Sequence, residues 1–332
     1  MSRIALHALM TVFAMATSSC SSSSAPDLDI PIASSTRLLV LAPHPDDEAL
    51  AAAGLIQRVR AAGGAVRVVL MTSGDAFAEK TARRSPEPDA ADHRKSGVIR
   101  ERESVAAMAR LGVARADVTM LGFPDMGLCF LASKYLTNAG AFESPYTDRE
   151  RPPASKQVIR GVEYRGVDVR LELEKVIAGF MPTLVVLPHG EDEHPDHCAT
   201  QIFGRRALEL VNRRLGLAPR VLHYVVHYAD WPLSQDGGTG AQLDPPAGFP
   251  AAEGQWRSLT LSDAEAEAKR QAIGDYATQM RAMGTFLQAF ARHNELFVDG
   301  APASPPECWC DEKTVATTLP AASHRHRPKP RP

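Results

Sequence analysis

Short apolar runs alternate with helix-length segments along most of this chain, and that alternation limits the fold more than any other feature. Residues 37–42 (RLLVLA) form a run short enough for a buried strand. Residues 48–62 follow, rich in Ala and Leu at helical spacing, and stop at Gly63-Gly64. Further strands are expected at 65–72, 118–123, 183–187 and 221–228. Helices are expected at 96–111, 166–180, 195–215 and 263–281. Strands alternating with helices of this length pair in parallel and are covered on both faces. Right-handed crossovers then leave an α/β fold, a Rossmann-like three-layer sandwich with a mostly parallel central sheet.

Both ends of the 332 residues read differently from this body. Arg3 precedes an apolar stretch at 4–16, too short for a permanent membrane span, and small residues lead to Cys20. That order predicts a secretory signal over 1–20 and an exported protein, periplasmic or extracellular. A Cys after small residues also resembles a bacterial lipoprotein signal, so a membrane tether through a lipidated Cys20 is expected with it. Residues 21–35 then read as a Ser-rich tether, 36–300 as one catalytic domain, and 301–332 as a disordered, Pro-rich basic tail. Residues 124–160 interrupt the alternation, carry Gly127, Gly140, Pro145, Pro152 and Pro153, and read as an inserted loop or lid. A net charge of −2 gives no electrostatic footprint for nucleic acid. Export permits disulfides among Cys129, Cys198, Cys308 and Cys310, but spacing does not give their pairing. Cys308-Trp309-Cys310 without companion ligands is a weak metal motif.

Two polar clusters follow expected strands directly. His44, Asp46 and Asp47 come after the first strand, and His194, Asp196 and His197 come after the fourth. Ligands of open α/β sheets bind outside the carboxyl ends of strands, so segments about 150 residues apart are brought to one rim. Asp46-Asp47-Glu48 places three carboxylates in a row, which repel unless a cation sits among them. Acids at a helix N-terminus would account for this cluster alone, and solvated histidines for the other. Two such clusters on one rim point instead to a catalytic zinc, which takes three His or carboxylate ligands and leaves a position for water. The first strand is not followed by G-x-G-x-x-G, which argues against dinucleotide binding. His189 reads as a loop histidine beside the pocket, and His223 and His227, on one face of an expected strand, read as structural.

Together, His44-Pro45-Asp46-Asp47-Glu48 and His194-Pro195-Asp196-His197 resemble the paired motifs of the PIG-L/LmbE-like family of zinc-dependent N-acetylglucosaminyl deacetylases. Arg100, Glu103, Ala107 and Leu111-Gly112 look like that family's arginine-bearing helix, and residues 121–125 (LGFPD) like its loop after the third strand. Lys269, Tyr276 and Thr278-Gln279 resemble its late helix, and residues 294–297 (NELF) a segment near its C-terminus. The resemblance implies zinc held by His44, Asp47 and His197, with Asp46 as general base. It implies that His194 polarises or protonates at the tetrahedral intermediate and that Asp196 orients it. Arg100 and Asp125 fall where the family contacts the sugar. The implied reaction is removal of N-acetyl from an N-acetylglucosamine-type substrate, an amino sugar or glycan, releasing acetate and an amine. The family often pairs glycines where this chain has Ala53-Gly54, and the insert and terminal extensions lie outside the common pattern. Two other functions fit the same residues: a zinc amidase cutting a larger amide conjugate, and a non-catalytic exported metal- or sugar-binding lipoprotein. Retention of Asp46 disfavours the second.

Overall fold

The computed structural model describes residues 25–77, 88–137, 140–235, 241–250, 255–300 and 308. The expected signal, Cys20, Cys310 and the basic tail lie outside the described residues.

Five strands form the parallel part of one sheet: β1 (Arg37–Ala42), β2 (Ala65–Thr72), β3 (Val118–Phe123), β4 (Leu184–Pro188) and β5 (Arg220–Tyr224). Two further strands, β6 (Gln255–Thr260) and β7 (Asn294–Asp299), add antiparallel at one edge, giving the order β3-β2-β1-β4-β5-β7-β6. The helices are α1 (Asp47–Ala61), α2 (Ala90–Arg110), α3 (Leu128–Ala132), α4 (Gly166–Phe180), α5 (Pro195–Leu215), α6 (Asp263–Gly274) and α7 (Ala277–Gln288). No helix among the described residues is long and apolar enough to cross a membrane.

The α/β sandwich expected from the alternation is what forms. Strand β1 is buried on both faces: Leu38, Val40 and Ala42 join the core under α1, α2 and α6, while Leu39 and Leu41 join the core under α4 and α5. This two-sided burial is why its sequence is a continuous apolar run rather than an alternating one. The strand order reverses at β1, which pairs with β2 on one side and β4 on the other. A crevice opens at such a reversal, outside the strand ends.

Several elements differ from the sequence reading. The expected helix at 263–281 is two helices broken at Tyr276, whose backbone (φ −80°, ψ 63°) is not helical. Strand β5 ends at Tyr224, so His227 lies beyond the strand and on the sheet's carboxyl rim. The antiparallel pair β6–β7 gave no alternation strong enough to be read as strands. Residues 25–35, read as the end of a tether, dock on the sheet edge. Leu28 is buried there, its N–H donates to Ser258 O, and Ser258 N–H donates to Pro26 O, each at 2.8 Å.

Helix α1 carries the first motif and is itself kinked at Ala52 (φ −138°, ψ 18°). A kink frees backbone groups that must find partners when buried. Lys269 Nζ donates to Leu50 O at 2.8 Å, and Glu295 accepts from Gly54 N at 2.8 Å and from Leu55 N at 3.1 Å. Lys269 and Glu295 pair with each other at 3.0 Å and are 0% and 1% exposed. Gly54 has no room for a side chain, because a Cβ would lie 2.2 Å from Leu261.

Candidate metal and catalytic site

The loop from β1 delivers His44 and then turns sharply into α1 at Asp46, whose φ is 136°. A residue other than glycine in this region stores about 1–3 kcal/mol of strain and is held there by its surroundings. Glu48, buried on the first turn of α1, accepts from Asp46 N–H at 3.1 Å and from Tyr276 Oη–H at 2.8 Å, and Ser104 Oγ–H donates to it as well. Asp46 Oδ2 meets Arg100 Nη2 at 3.2 Å. The Arg100 guanidinium also donates to Gly74 O and Pro45 O. It crosses Gly74 so closely that a Cβ there would be 2.2 Å away, and Gly74 sits at φ +65°, where glycine is favoured.

The second loop, from β4 into α5, brings His194 and His197 to the same place. His194 caps α5 and Pro195 opens it. Asp47 Oδ2 stands 3.3 Å from His44 Nδ1 and 3.3 Å from His197 Nε2. In a tetrahedral site with bonds of about 2.0–2.1 Å, neighbouring donors are separated by roughly 3.4 Å. His197 Nε2 is buried and has no hydrogen-bond partner. A buried imidazole nitrogen left without a partner, facing a carboxylate at that separation, is what a metal ligand looks like before the ion is added. Three overlapping groups of donors lie within 4.8 Å: His44, His194 and His197; Asp47, His197 and His227; and His44, Asp125 and Asp196. Asp46 belongs to none of them.

The electrostatics agree with a cation. Burial favours neutral imidazole at His197, yet Asp192 and Asp47 outweigh it and push the pKa to about 10. His44 is likewise raised, against its burial, chiefly by Asp125 with help from Asp196 and Asp47. These carboxylates demand positive charge at the centre of the site, which a divalent ion supplies. His194 goes the other way: burial and the neighbouring His44, His197 and His227 hold it neutral. Its Nδ1 accepts from Asp196 N–H at 3.2 Å, so its proton resides on Nε2. Burial, only partly offset by Arg100 and reinforced by Asp47, raises Asp46 to about 7.

Six of the eight sequence-predicted residues line this crevice, while Asp196 and His197 lie fully buried behind it, and three make contacts other than those expected. Asp196 does not orient His194 through its carboxylate. That group accepts from Met126 N at 2.7 Å and Leu128 N at 3.0 Å and stands 3.3 Å from His44 Nε2. Asp125 also holds His44 Nε2, at 3.2 Å, and accepts from Ala76 N–H at 2.8 Å. Arg100 and Asp125 line the cleft, yet their polar atoms largely serve the motif residues.

Two residues escaped sequence reasoning. Asp192 stands 3.1 Å from His197 Nδ1 and accepts from Val226 N at 2.8 Å, fixing the ring and leaving Nε2 for a ligand role. Its only signal was its place in Glu191-Asp192-Glu193, just before the second motif. His227, read as structural, packs against both motif histidines, with ring centroids 5.2 Å from His194 and 5.0 Å from His197. The premature end of β5 puts it there. His223, as expected, remains buried in the core, its ring against His189.

The sequence model of the family described as GlcNAc-PI de-N-acetylase (PIG-L) matches residues 39–208, slightly more than half of the chain. The chain belongs to the PIG-L family. The PIG-L match spans both motifs and stops within α5, so β5 to β7 and α6 and α7 lie outside it. No curated protein sequence matches the chain. Among solved structures, GalB, the 4-carboxy-2-hydroxymuconate hydratase from Pseudomonas putida KT2440, superposes with a TM-score of 0.51 at 15% identity, covering 82% of this chain and 99% of that one. N,N'-diacetylchitobiose deacetylase from Pyrococcus horikoshii gives 0.48 at 19% identity, covering 79% and 82%. A conserved protein from Thermus thermophilus gives 0.48 at 20% identity, covering 80% and 96%. The first likeness is one of fold, and a fold shared with a hydratase leaves the reaction to be argued from the site.

Proposed function

We propose that this PIG-L member is a zinc-dependent hydrolase that removes an N-acyl group, acetyl in the family's own description, from an N-acetylglucosamine-type amino sugar. The observation that carries the reading is the division of labour at the first motif. Asp47 Oδ2 lies 3.3 Å from both His44 Nδ1 and His197 Nε2, and each of these three residues also belongs to one of the donor groups, His44 with His197 and Asp47 with His197, while Asp46 pairs with Arg100 and belongs to no group.

When held by His44, Asp47 and His197, zinc supplies Lewis acidity toward the acyl carbonyl and lowers the pKa of water toward about 7. The chain's own residues do the rest. Asp46, aimed by its strained backbone and by Arg100, takes a proton from the attacking water, a role typically worth about 10²–10⁴ in rate. His194 donates from Nε2 to the oxygen on which charge develops, where one donor is worth roughly 10²–10³. Oxygen adds to the acyl carbon, the C–N bond breaks, and the proton held by Asp46 passes to the departing nitrogen, giving a carboxylic acid and a free amine. Arg100 and Asp125 position Asp46 and His44 and border the sugar.

Export is part of this proposal. Cys198 and Cys308 form a disulfide across 110 residues of sequence, and such links persist in oxidising compartments. That link also removes Cys308 from the weak Cys-x-Cys metal motif. A lipid on Cys20 would add a membrane tether.

The test is acetate release. Protein loaded with zinc and offered N-acetylglucosamine, chitin oligomers and envelope glycan fragments is expected to release acetate from at least one of them. Activity should fall to background with a chelator and return with zinc. Acetate release that survives complete removal of metal would overturn the zinc assignment, and release from none of the amino sugars would overturn the substrate class.

A further inference from the structure

The cleft of about 410 Å³ has two unlike walls. The motif loops supply a polar wall. An apolar wall comes from α7 and the start of α1, with Met283, Phe286, Leu287 and Leu50. Acetyl offers only one methyl to such a surface. Helix α7 is kinked at Met283, and Phe286 stacks on His227 with centroids 5.5 Å apart and planes 12° apart, and His227 in turn packs 5.0 Å from His197, so this wall lies one ring away from a proposed ligand. Within it lies one polar group, Gln279, 4% exposed, whose Oε1 is buried without a partner. An unpaired buried acceptor is costly unless a ligand donor completes it.

An N-acyl amide carries the matching pair of features, an N–H donor beside an alkyl chain. A glycosidic alkyl group carries the chain but no adjacent N–H. We infer that the α7 wall is an acyl subsite: Gln279 receives the N–H of the scissile amide, and Met283, Phe286, Leu287 and Leu50 bind an acyl chain longer than acetyl. This rests on the N-acyl hydrolase reading and narrows its substrate to amino sugars carrying a medium-length acyl chain.

The experiment uses the full-length, zinc-loaded protein and a series of N-acyl glucosamines from acetyl through butanoyl and hexanoyl to octanoyl. Each methylene buried is worth about fourfold in kcat/KM, so kcat/KM is expected to climb about fourfold per methylene over the first few carbons. A flat or falling series beyond acetyl would overturn the subsite. Met283→Gln should flatten the slope with chain length, whereas Gln279→Leu should lower every member by a similar factor of about tenfold or more. Slopes unchanged in Met283→Gln, with wild-type thermal stability, would also count against the assignment. Methyl and octyl glycosides of N-acetylglucosamine form the second arm and are expected to react at similar rates. A gain confined to the octyl glycoside would transfer the wall to the aglycone and overturn the acyl assignment. If the acetyl compound is hydrolysed and longer ones are not, only this inference fails. If no member is hydrolysed, the hydrolase reading fails and takes the inference with it.

Discussion

The two parts of the sheet do different jobs. The parallel part, β1 to β5 with α1 and α5, carries both motifs on its carboxyl rim. The antiparallel edge, β6 and β7 with α6 and α7, contributes none of the proposed ligands or the base. It instead supplies Lys269 and Glu295 to the kink in α1, Tyr276 to Glu48, and the apolar wall of the cleft. The motif residues are therefore grouped, while the residues that hold them are single, some within the parallel part, such as Arg100 and Asp192, and others far away at the edge. Glu295 reaches Gly54 across 241 residues of sequence. The PIG-L match, ending at residue 208, follows the same division. The match covers both motifs with their nearer supports Arg100, Asp125 and Asp192, and it leaves out the supports at the antiparallel edge and the α7 part of the cleft lining.

The largest effect should come from the motif side. His197→Ala removes a proposed ligand whose Nε2 faces only the Asp47 carboxylate, itself a proposed ligand, and it is expected to weaken zinc binding strongly and, with the Lewis acid lost, reduce turnover by about 10²–10³. Metal analysis of the purified variant checks this, and unchanged zinc content would place the ion elsewhere. A smaller effect should come from the supporting side. Glu295→Ala leaves Lys269 charged and buried without its partner and strands the N–H groups of Gly54 and Leu55. Breaking such a pair costs about 3–5 kcal/mol. Urea denaturation should show the loss, and stability within about 1 kcal/mol of wild type would mean that the edge merely covers α1 rather than holding it.

The same division explains how far the sequence could be read. Parallel strands buried on both faces give continuous apolar runs, so β1, β2 and β3 were legible to the residue. His44, Asp46, Asp47, His194 and His197 were legible because a strand end precedes each motif. The edge was not. Strand β6 (QWRSLT) mixes residue types without a clear period, and the break between α6 and α7 falls at Tyr276, just after Gly274, a stop signal easily passed over in a long helical run. Asp192 is defined by contacts to Val226 and His227 that no spacing rule encodes. His227 shows how a boundary error becomes a functional one: four residues too many in β5 turned a rim histidine into a strand residue.

The most direct test of the account concerns Asp46 alone. It is buried, bonded to Arg100 and outside the donor groups, so it is free to act as the base. Asp46→Asn preserves the size and branching of the side chain and so places no new demand on the strained backbone at this position, but it cannot take up a proton at neutral pH. Zinc content and steady-state release of the acyl group should be measured together on wild type and variant. The account predicts one zinc per chain in both and a loss of about 10²–10⁴ in turnover for the variant. Wild-type turnover in Asp46→Asn with zinc still bound would contradict it.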